Sequence, residues 1–123
     1  MARNKASDGS RSTLSAFALE FTRCAACWET QCWKGMHIHH LVGGAGRKHD
    51  RRNLLRLCGN CHDCLHQGPP AGQPDLTKGM MLWCKQQEDP EYYDPVFLAG
   101  LVHRKWLGYD PEPLDEWYIS RRK

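Results

Sequence analysis

The sequence predicts a small α+β domain in which two short strands are followed by a helix, with further helices towards the C-terminus. Three observations carry this prediction. Two short apolar runs, residues 36–42 and 54–57, flank a connection rich in glycine and basic residues. A segment rich in cysteine and histidine follows and is stopped by the glycine and prolines of residues 68–70. Beyond it lie two longer apolar segments of helical period.

Length and composition fit one small domain. The chain has 123 residues, and turn residues occur throughout it. Residues 1–12 are small, polar and basic, so we expect a flexible tail there and a single domain over residues 13–123. Within that domain we expect the strand–strand–helix core at about residues 36–67 and a helical part at about residues 75–122.

The apolar runs and the cysteine count bear on the cellular compartment. No run approaches the ~20 apolar residues of a membrane span, and residues 1–13 lack the apolar core of a signal peptide. We therefore expect a cytoplasmic protein with no membrane partner, whose seven cysteines are metal ligands or free thiols. The formal net charge of +3 is too mild to identify a nucleic-acid binder by itself.

The first half of the chain contains three apolar segments. Residues 13–21 alternate imperfectly, and both a short strand and a helix fit them. Residues 36–42 predict a strand, and residues 54–57 predict its partner across the flexible connection. After the turn at residues 59–60, residues 61 to about 67 predict a short helix.

The second half of the chain predicts three helices. Residues 75–77 can cap a helix that runs to about Gln87. Asp94 followed by Pro95 is typical of an N-cap and a first helical residue, and we expect that helix to end at Gly108. Residues 114–122 predict a last short helix. These segments are expected to pack against the core, and their aromatic residues could equally form an interface with a partner or a second copy.

Two C-x-x-C pairs predict a structural zinc site. A tetrahedral zinc needs four soft or borderline ligands, and two such pairs from separate parts of the chain supply them without strain. We assign the site to Cys24, Cys27, Cys58 and Cys61. Cys32 and Cys64 each follow a pair closely, so either could replace one of its members, but we interpret them and Cys84 as non-ligands.

The histidines predict a second site. His62 and His66 stand four residues apart, so on a helix they project from one face and can bind one ion. His39 and His40 are adjacent on the predicted strand and point to opposite faces, so only one of them can join that ion. His62 could alternatively serve the thiolate zinc beside Cys61.

Together these residues closely resemble the HNH nuclease family. The matching segments are I-H-H at residues 38–40, N-L at 53–54 and L-C-x-x-C-H-x-x-x-H at 57–66, and the resemblance covers roughly residues 24–67. It implies the ββα-metal fold, also called the His-Me finger, here stapled by a four-cysteine zinc site and extended by C-terminal helices.

The resemblance also implies roles for the site residues. His39, His62 and His66 would hold one catalytic divalent ion, and His40 would be the general base that takes a proton from water. Asn53 matches the middle residue of the motif, which in some relatives is a ligand and in others braces the loop; with three histidines present we favour bracing. The all-histidine set resembles the colicin nuclease toxins and widens the choice of metal to Mg, Mn, Ni or Zn.

The remaining histidines are assigned lesser roles. Many members of the family carry an acidic residue where this chain has His37, which is therefore either a spectator or a modifier of metal affinity. We interpret His49 and His103 as ordinary surface or helix-face histidines.

Basic residues beside the predicted metal centre indicate contact with a phosphate backbone. Four of them lie in or next to the glycine-rich connection and one lies on the second strand: Arg47, Lys48, Arg51, Arg52 and Arg56. No pattern suggests readout of base edges, so we expect little sequence specificity.

The sequence therefore predicts an HNH endonuclease that hydrolyses DNA, with RNA as a further possible substrate. By resemblance its products would carry 5′-phosphate and 3′-hydroxyl ends. Two alternatives are a zinc-dependent nucleic-acid-binding module without catalysis, and a nuclease subunit that is active only with a partner in a phage, restriction or recombination assembly.

Overall fold

The computed structural model describes residues 11–43, 48–72, 75–102 and 110–121. The fold is α+β, with a two-stranded antiparallel sheet and five α-helices among these residues. The strands are β1 (Met36–His40) and β2 (Leu54–Cys58). The helices are α1 (Arg11–Glu20), α2 (Gly59–Gln67), α3 (Lys78–Glu88), α4 (Pro95–Leu101) and α5 (Glu116–Arg121). None of the described helices is long and apolar enough to cross a membrane.

The two strands and the helix after them were predicted from the sequence and are confirmed. In the sheet His39 lies opposite Leu55, and His40 lies opposite Leu54. Helix α2 follows β2 directly, because the Cys58 side chain caps its first turn by accepting a hydrogen bond from the backbone N–H of Cys61. The strand pair and α2 therefore form one continuous unit.

A close backbone approach at the start of α2 requires a glycine. The N–H of Gly59 donates to the carbonyl of Gly35 at 2.8 Å. A Cβ atom at residue 59 would collide with the Cβ and the carbonyl oxygen of Lys34. Gly59 therefore lets the start of α2 lie against the segment that leads into β1.

The N-terminal apolar segment is a helix rather than a strand. Its buried residues, Thr13 and Phe17, are four apart and lie on one face of α1. Leu19, which a strand would place beside Phe17, has 82% of its surface exposed. The predicted tail falls mostly on residues 1–10, outside the described part of the chain, and Arg11 and Ser12 belong to α1.

The predicted C-terminal helices are found with the expected caps. The Thr77 hydroxyl accepts from the N–H of Met80 at the start of α3. The Asp94 carboxylate accepts from the N–H of Phe97 at the start of α4. In the described residues α4 ends at Leu101 with Val102 as its C-cap, short of the predicted end at Gly108, which itself lies outside the description.

The larger hydrophobic cluster surrounds the four predicted zinc ligands. Leu55 and Leu57 of β2, Met81 of α3 and Tyr118 of α5 pack into the same cluster as these cysteines. A smaller cluster joins α3 and α4 and contains Val42, Leu82, Leu98 and Leu101. A thiolate site at this position connects elements from both halves of the chain.

A buried lysine joins α3 to β2. Lys85 is fully buried, and its ammonium donates to the carbonyls of Arg51 and Leu54 and to the carboxylate of Asp89, at 2.7, 2.9 and 2.8 Å. Arg51 donates to the same carboxylate and to Glu20 of α1. These ion pairs connect α1, α3 and the turn before β2.

Candidate metal centres

Four cysteine sulfurs converge inside the larger core cluster. The Sγ atoms of Cys24, Cys27, Cys58 and Cys61 all lie within 4.8 Å of one another, and all four side chains are buried. The sulfurs of Cys27 and Cys58 are 3.8 Å apart. This donor set fits the four-thiolate shell of structural zinc, so the cluster could hold a metal ion such as zinc.

Backbone hydrogen bonds bring the two C-x-x-C pairs together. The N–H of Ala25 donates to the carbonyl of Arg56 at 2.8 Å, which attaches the first pair to β2. The N–H of Trp28 donates to the carbonyl of Cys24 at 2.8 Å and closes the first turn. Trp28 has a φ of 65°, an uncommon conformation for a residue with a Cβ. The tight turn therefore lets both thiols of the first pair point at the second.

Hydrogen bonds between the thiols of this cluster shift their pKa values. A hydrogen bond with Cys24 lowers the pKa of the Cys27 thiol. Hydrogen bonds with Cys24, Cys27 and Cys58 raise the pKa of the Cys61 thiol. Four thiolates at this distance would repel one another strongly, and a bound divalent cation would offset that repulsion.

The other three cysteines lie outside the four-sulfur group. Cys32 is partly buried, and Cys64 and Cys84 are buried. Among the described residues, the group that can hold an ion contains neither Cys32 nor Cys64. The predicted set of zinc ligands therefore agrees with the placement of the sulfurs.

Three histidines form a second group. His39 of β1 and His62 and His66 of α2 each offer a ring nitrogen, and these nitrogens lie within 4.8 Å of one another. The ring centroids are 4.8 to 5.5 Å apart. Their burial is graded, from His39 at the base to exposed His66 at the rim. The group could hold a metal ion and is open to solvent on one side.

Burial keeps the inner histidines neutral. It lowers the pKa of His39 from 6.5 to about 3, and positive charge on His62 and His66 would act in the same direction. It also lowers the pKa of His62. Neutral imidazoles carry the lone pair that a metal ion requires, so both rings can bind a cation at neutral pH.

His37 contacts this group without belonging to it. Its Nδ1 lies 2.9 Å from Nδ1 of His62, and its Nε2 lies 3.1 Å from the carbonyl oxygen of Lys34. The two rings meet edge to face. Of the two roles considered for His37, a spectator or a modifier of the site, this contact favours the second.

His40 meets a histidine that sequence reasoning set aside. Strand alternation points His40 away from the face that carries His39. Its Nε2 lies 3.0 Å from Nδ1 of His49, and the ring centroids are 5.1 Å apart. His49 is half-buried rather than an ordinary surface residue. His103, which received the same interpretation, lies outside the described residues.

Asn53 lies at the base of the loop between the strands. It is fully buried, and its side-chain oxygen accepts from the N–H of Val42 at 2.8 Å. Its side-chain amide donates to the carbonyls of Val42 and Lys48, both at 3.1 Å. The side chain thus binds the loop on both sides, next to the segments that carry His40 and His49.

The basic residues predicted to contact phosphate are in different situations. The Arg51 guanidinium is bound by Asp89 and Glu20, which raise its pKa, and the Arg52 guanidinium is bound by Asp50. Lys48 is exposed. Both arginines therefore have structural contacts, and their contact with phosphate stays a prediction.

Arg47 and Arg56 complete that set. Arg47 lies outside the described residues. Arg56 is half-buried on β2, opposite Ile38, and its buried Nε has no hydrogen-bond partner in the described part of the chain. Burial lowers the pKa of Arg56. Its strand position places it on the same sheet face as His40.

Comparison with known proteins does not assign the chain. No family model, curated protein or solved structure matches it. The functional conclusion therefore depends on the chemistry of the sites.

Proposed function

We propose that this chain is a metal-dependent endonuclease that hydrolyses DNA phosphodiester bonds and is built on a ββα-metal core of the HNH type. The observation that carries the proposal is the placement of the histidines. His39, His62 and His66 offer nitrogens within 4.8 Å of one another, and His40 follows His39 on the opposite face of β1. A protein that only binds DNA has no need of His40.

The histidine group has the composition of a catalytic site rather than a closed structural one. Three protein ligands leave coordination positions open, whereas the four thiolates would fill a tetrahedral shell. His66 at the rim is exposed, so a phosphate can approach. A divalent ion held there would supply positive charge against the phosphoryl oxygens and the leaving 3′ oxygen.

His40 is the general base in this proposal. A neutral imidazole can take a proton from water near neutral pH. Because β1 is a regular strand, His40 is held beside the metal ligands without being one of them. Asn53 braces the loop behind it through its bonds to Val42 and Lys48.

The cysteine group acts as a structural centre. It lies in the larger core cluster and joins the segment before β1 to β2 and α2. The same two elements, β2 and α2, determine where His62 and His66 lie relative to β1. Zinc at the thiolates would therefore stabilise the geometry of the histidine group through β2 and α2.

The DNA backbone is the proposed partner. Lys48 is exposed beside the loop, and Arg56 lies on the His40 face of the strand pair. Both positions suit contact with phosphates on either side of the scissile bond. Such contacts carry no base information, so we expect cleavage with little sequence preference.

Cleavage of supercoiled plasmid tests the proposal. Wild type and His40→Ala are each supplied separately with Mg, Mn, Ni and Zn, and zinc content and circular dichroism show that both proteins keep the thiolate site and the fold. Metal-dependent cleavage that His40→Ala abolishes is the expected result. Equal cleavage by the variant, or none by wild type with any metal, would contradict it and favour a binding module or a partner-dependent subunit.

A further inference from the structure

His40 and His49 form a histidine pair that the proposed mechanism does not yet use. We propose that His49 is a positioning residue for His40, and that its Nδ1 accepts a hydrogen bond from His40 once His40 has taken a proton from water. This inference rests on the proposed nuclease function. It is carried by the 3.0 Å distance between Nε2 of His40 and Nδ1 of His49.

Hydrogen bonds anchor the residues on both sides of His49. His49 lies between Lys48, whose carbonyl accepts from Asn53, and Asp50, which is 4% exposed. The Asp50 carboxylate accepts from the backbone N–H and the guanidinium of Arg52, at 3.0 and 2.9 Å. Both neighbours of His49 are therefore anchored, so the folded backbone positions His49 next to His40.

One buried side chain connects the two histidines. Asn53 binds Val42, two residues after His40, and Lys48, one residue before His49. The N–H of Leu41 also donates to the backbone carbonyl of Asn53 at 2.8 Å. Asn53 thus fixes both backbone segments that carry the rings, which explains how the predicted brace acts on the general base.

The proton transfer makes His40 the donor in its hydrogen bond with His49. In the reaction a water O–H bond breaks and its proton bonds to a nitrogen of His40. The oxygen forms the new bond to phosphorus, the bond to the 3′ oxygen breaks, and that oxygen takes a proton from solvent. His40 then carries hydrogen on both ring nitrogens, so its Nε2 must donate, and Nδ1 of His49 is the acceptor at hand.

This hydrogen bond is stronger after the proton transfer than before it. Hydrogen bonds with an ionised partner are about twice as strong as neutral ones. The hydrogen bond between the two histidines therefore lowers the free energy of the transition state more than it lowers that of the free protein. The aspartate of a serine protease triad assists its histidine by the same principle. Here the acceptor is neutral, and the effect should be correspondingly modest.

Two variants of matched size test the inference. His49→Asn keeps an acceptor oxygen near the position of Nδ1, whereas His49→Leu fills the space without one. We expect His49→Leu to lower kcat about tenfold with KM for plasmid unchanged, because only a charged hydrogen bond is lost. His49→Asn should restore most of the wild-type kcat.

The outcomes separate this inference from the proposed function. Equal kcat for wild type and His49→Leu, or equal losses for Leu and Asn, would overturn the inference alone. A raised KM at unchanged kcat would instead make His49 a phosphate contact and overturn it as well. Absence of cleavage by wild type would overturn the proposed function and this inference with it. If His49→Leu does not fold, His49→Ala takes its place, since the half-buried ring tolerates truncation better than replacement.

Discussion

His37 fixes the tautomer of His62. Nε2 of His37 lies 3.1 Å from the Lys34 carbonyl, which can only accept, so this nitrogen carries the hydrogen. In the neutral ring Nδ1 of His37 is then an acceptor, and Nδ1 of His62, 2.9 Å away, donates to it. That leaves Nε2 of His62 with the lone pair that a metal ion requires. The Lys34 carbonyl thus determines which ring nitrogen of His62 could bind a metal ion.

We expect His37→Ala to weaken divalent metal binding at the histidine group. Loss of a partner that orients a ligand histidine typically costs about 10–100-fold in metal affinity. Titration calorimetry with Zn²⁺ on protein that already carries one equivalent of zinc would measure it. His49→Leu is the matched control, because His49 contacts His40 and not a member of the group. Unchanged affinity in His37→Ala would show that the contact has no effect on the site.

Loss of one thiolate should remove zinc and loosen the fold. Cys61 is buried in the four-sulfur group, whereas Cys32 is partly buried and outside it. We expect Cys61→Ser to lose bound zinc and cooperative thermal unfolding, since binding of about 10 kcal/mol couples to folding in such sites. Cys32→Ser should keep both. Elemental analysis and calorimetric melting measure the two effects, and zinc retained by Cys61→Ser would refute the ligand assignment.

Replacing the buried lysine should destabilise the protein strongly. Lys85→Met leaves the Leu54 carbonyl without its lysine donor and the Arg51 carbonyl with only the backbone N–H of Leu54. The buried Asp89 carboxylate keeps Arg51 as its cation. Removing one partner of a buried pair costs about 3–5 kcal/mol when the other charge is left uncompensated, and because Asp89 keeps Arg51 we expect the lower end of this range. Urea unfolding measures it, with Lys34→Met as the control, because the Lys34–Asp63 pair lies at the surface. A small change for Lys85→Met would mean that water replaces its contacts.

Acid should destabilise the wild type more than a protein without His39. The pKa of His39 is about 3 in the folded protein, against 6.5 as the reference value, because the ring is buried. The contribution of neutral His39 to the free energy of unfolding is fully present above pH 6.5. It declines as the pH falls towards about 3, because the unfolded chain then binds a proton that the folded chain does not.

Urea unfolding at pH 7 and pH 5 checks this for wild type and His39→Asn, each with one equivalent of zinc. We expect wild type to lose up to about 2 kcal/mol more than the variant over this interval. Any loss of thiolate zinc at pH 5 affects both proteins and cancels in the comparison. Equal losses would show that His39 takes up protons freely in the folded state.

Local patterns were sufficient for much of the fold. The strand pair, the end of α2 at Gln67 and the caps of α3 and α4 follow from short runs and single residues such as Thr77 and Asp94. The start of α2 was predicted two residues too late, because residues 59–60 were expected to form a turn and instead begin the helix. The thiolate set follows from spacing, because C-x-x-C pairs impose local geometry. Residues 13–21 were ambiguous, because their apolar residues fit both the period of a strand and that of a helix. The packing of the folded chain, which buries Phe17 and exposes Leu19, decides for the helix.

Contacts made across the fold could not be predicted in the same way. His37 meets His62 across 25 residues, and His49 meets His40 where Asn53 binds both sides of the loop. Lys85 is charged, which normally indicates the surface, yet it is buried because three oxygens converge on it. No sequence period reports such contacts, although the resemblance to the HNH family implied that Asn53 braces the loop.

Metal stoichiometry of plasmid cleavage tests the central claim most directly. The protein is stripped, reloaded with one equivalent of zinc to occupy the thiolates, and then titrated with a second equivalent of each divalent ion while nicking is measured. The claim predicts no cleavage at the first equivalent and full cleavage at the second, with His66→Ala inactive at both. Equal cleavage before and after the second equivalent, or full activity in His66→Ala, would contradict a catalytic role for the histidine group.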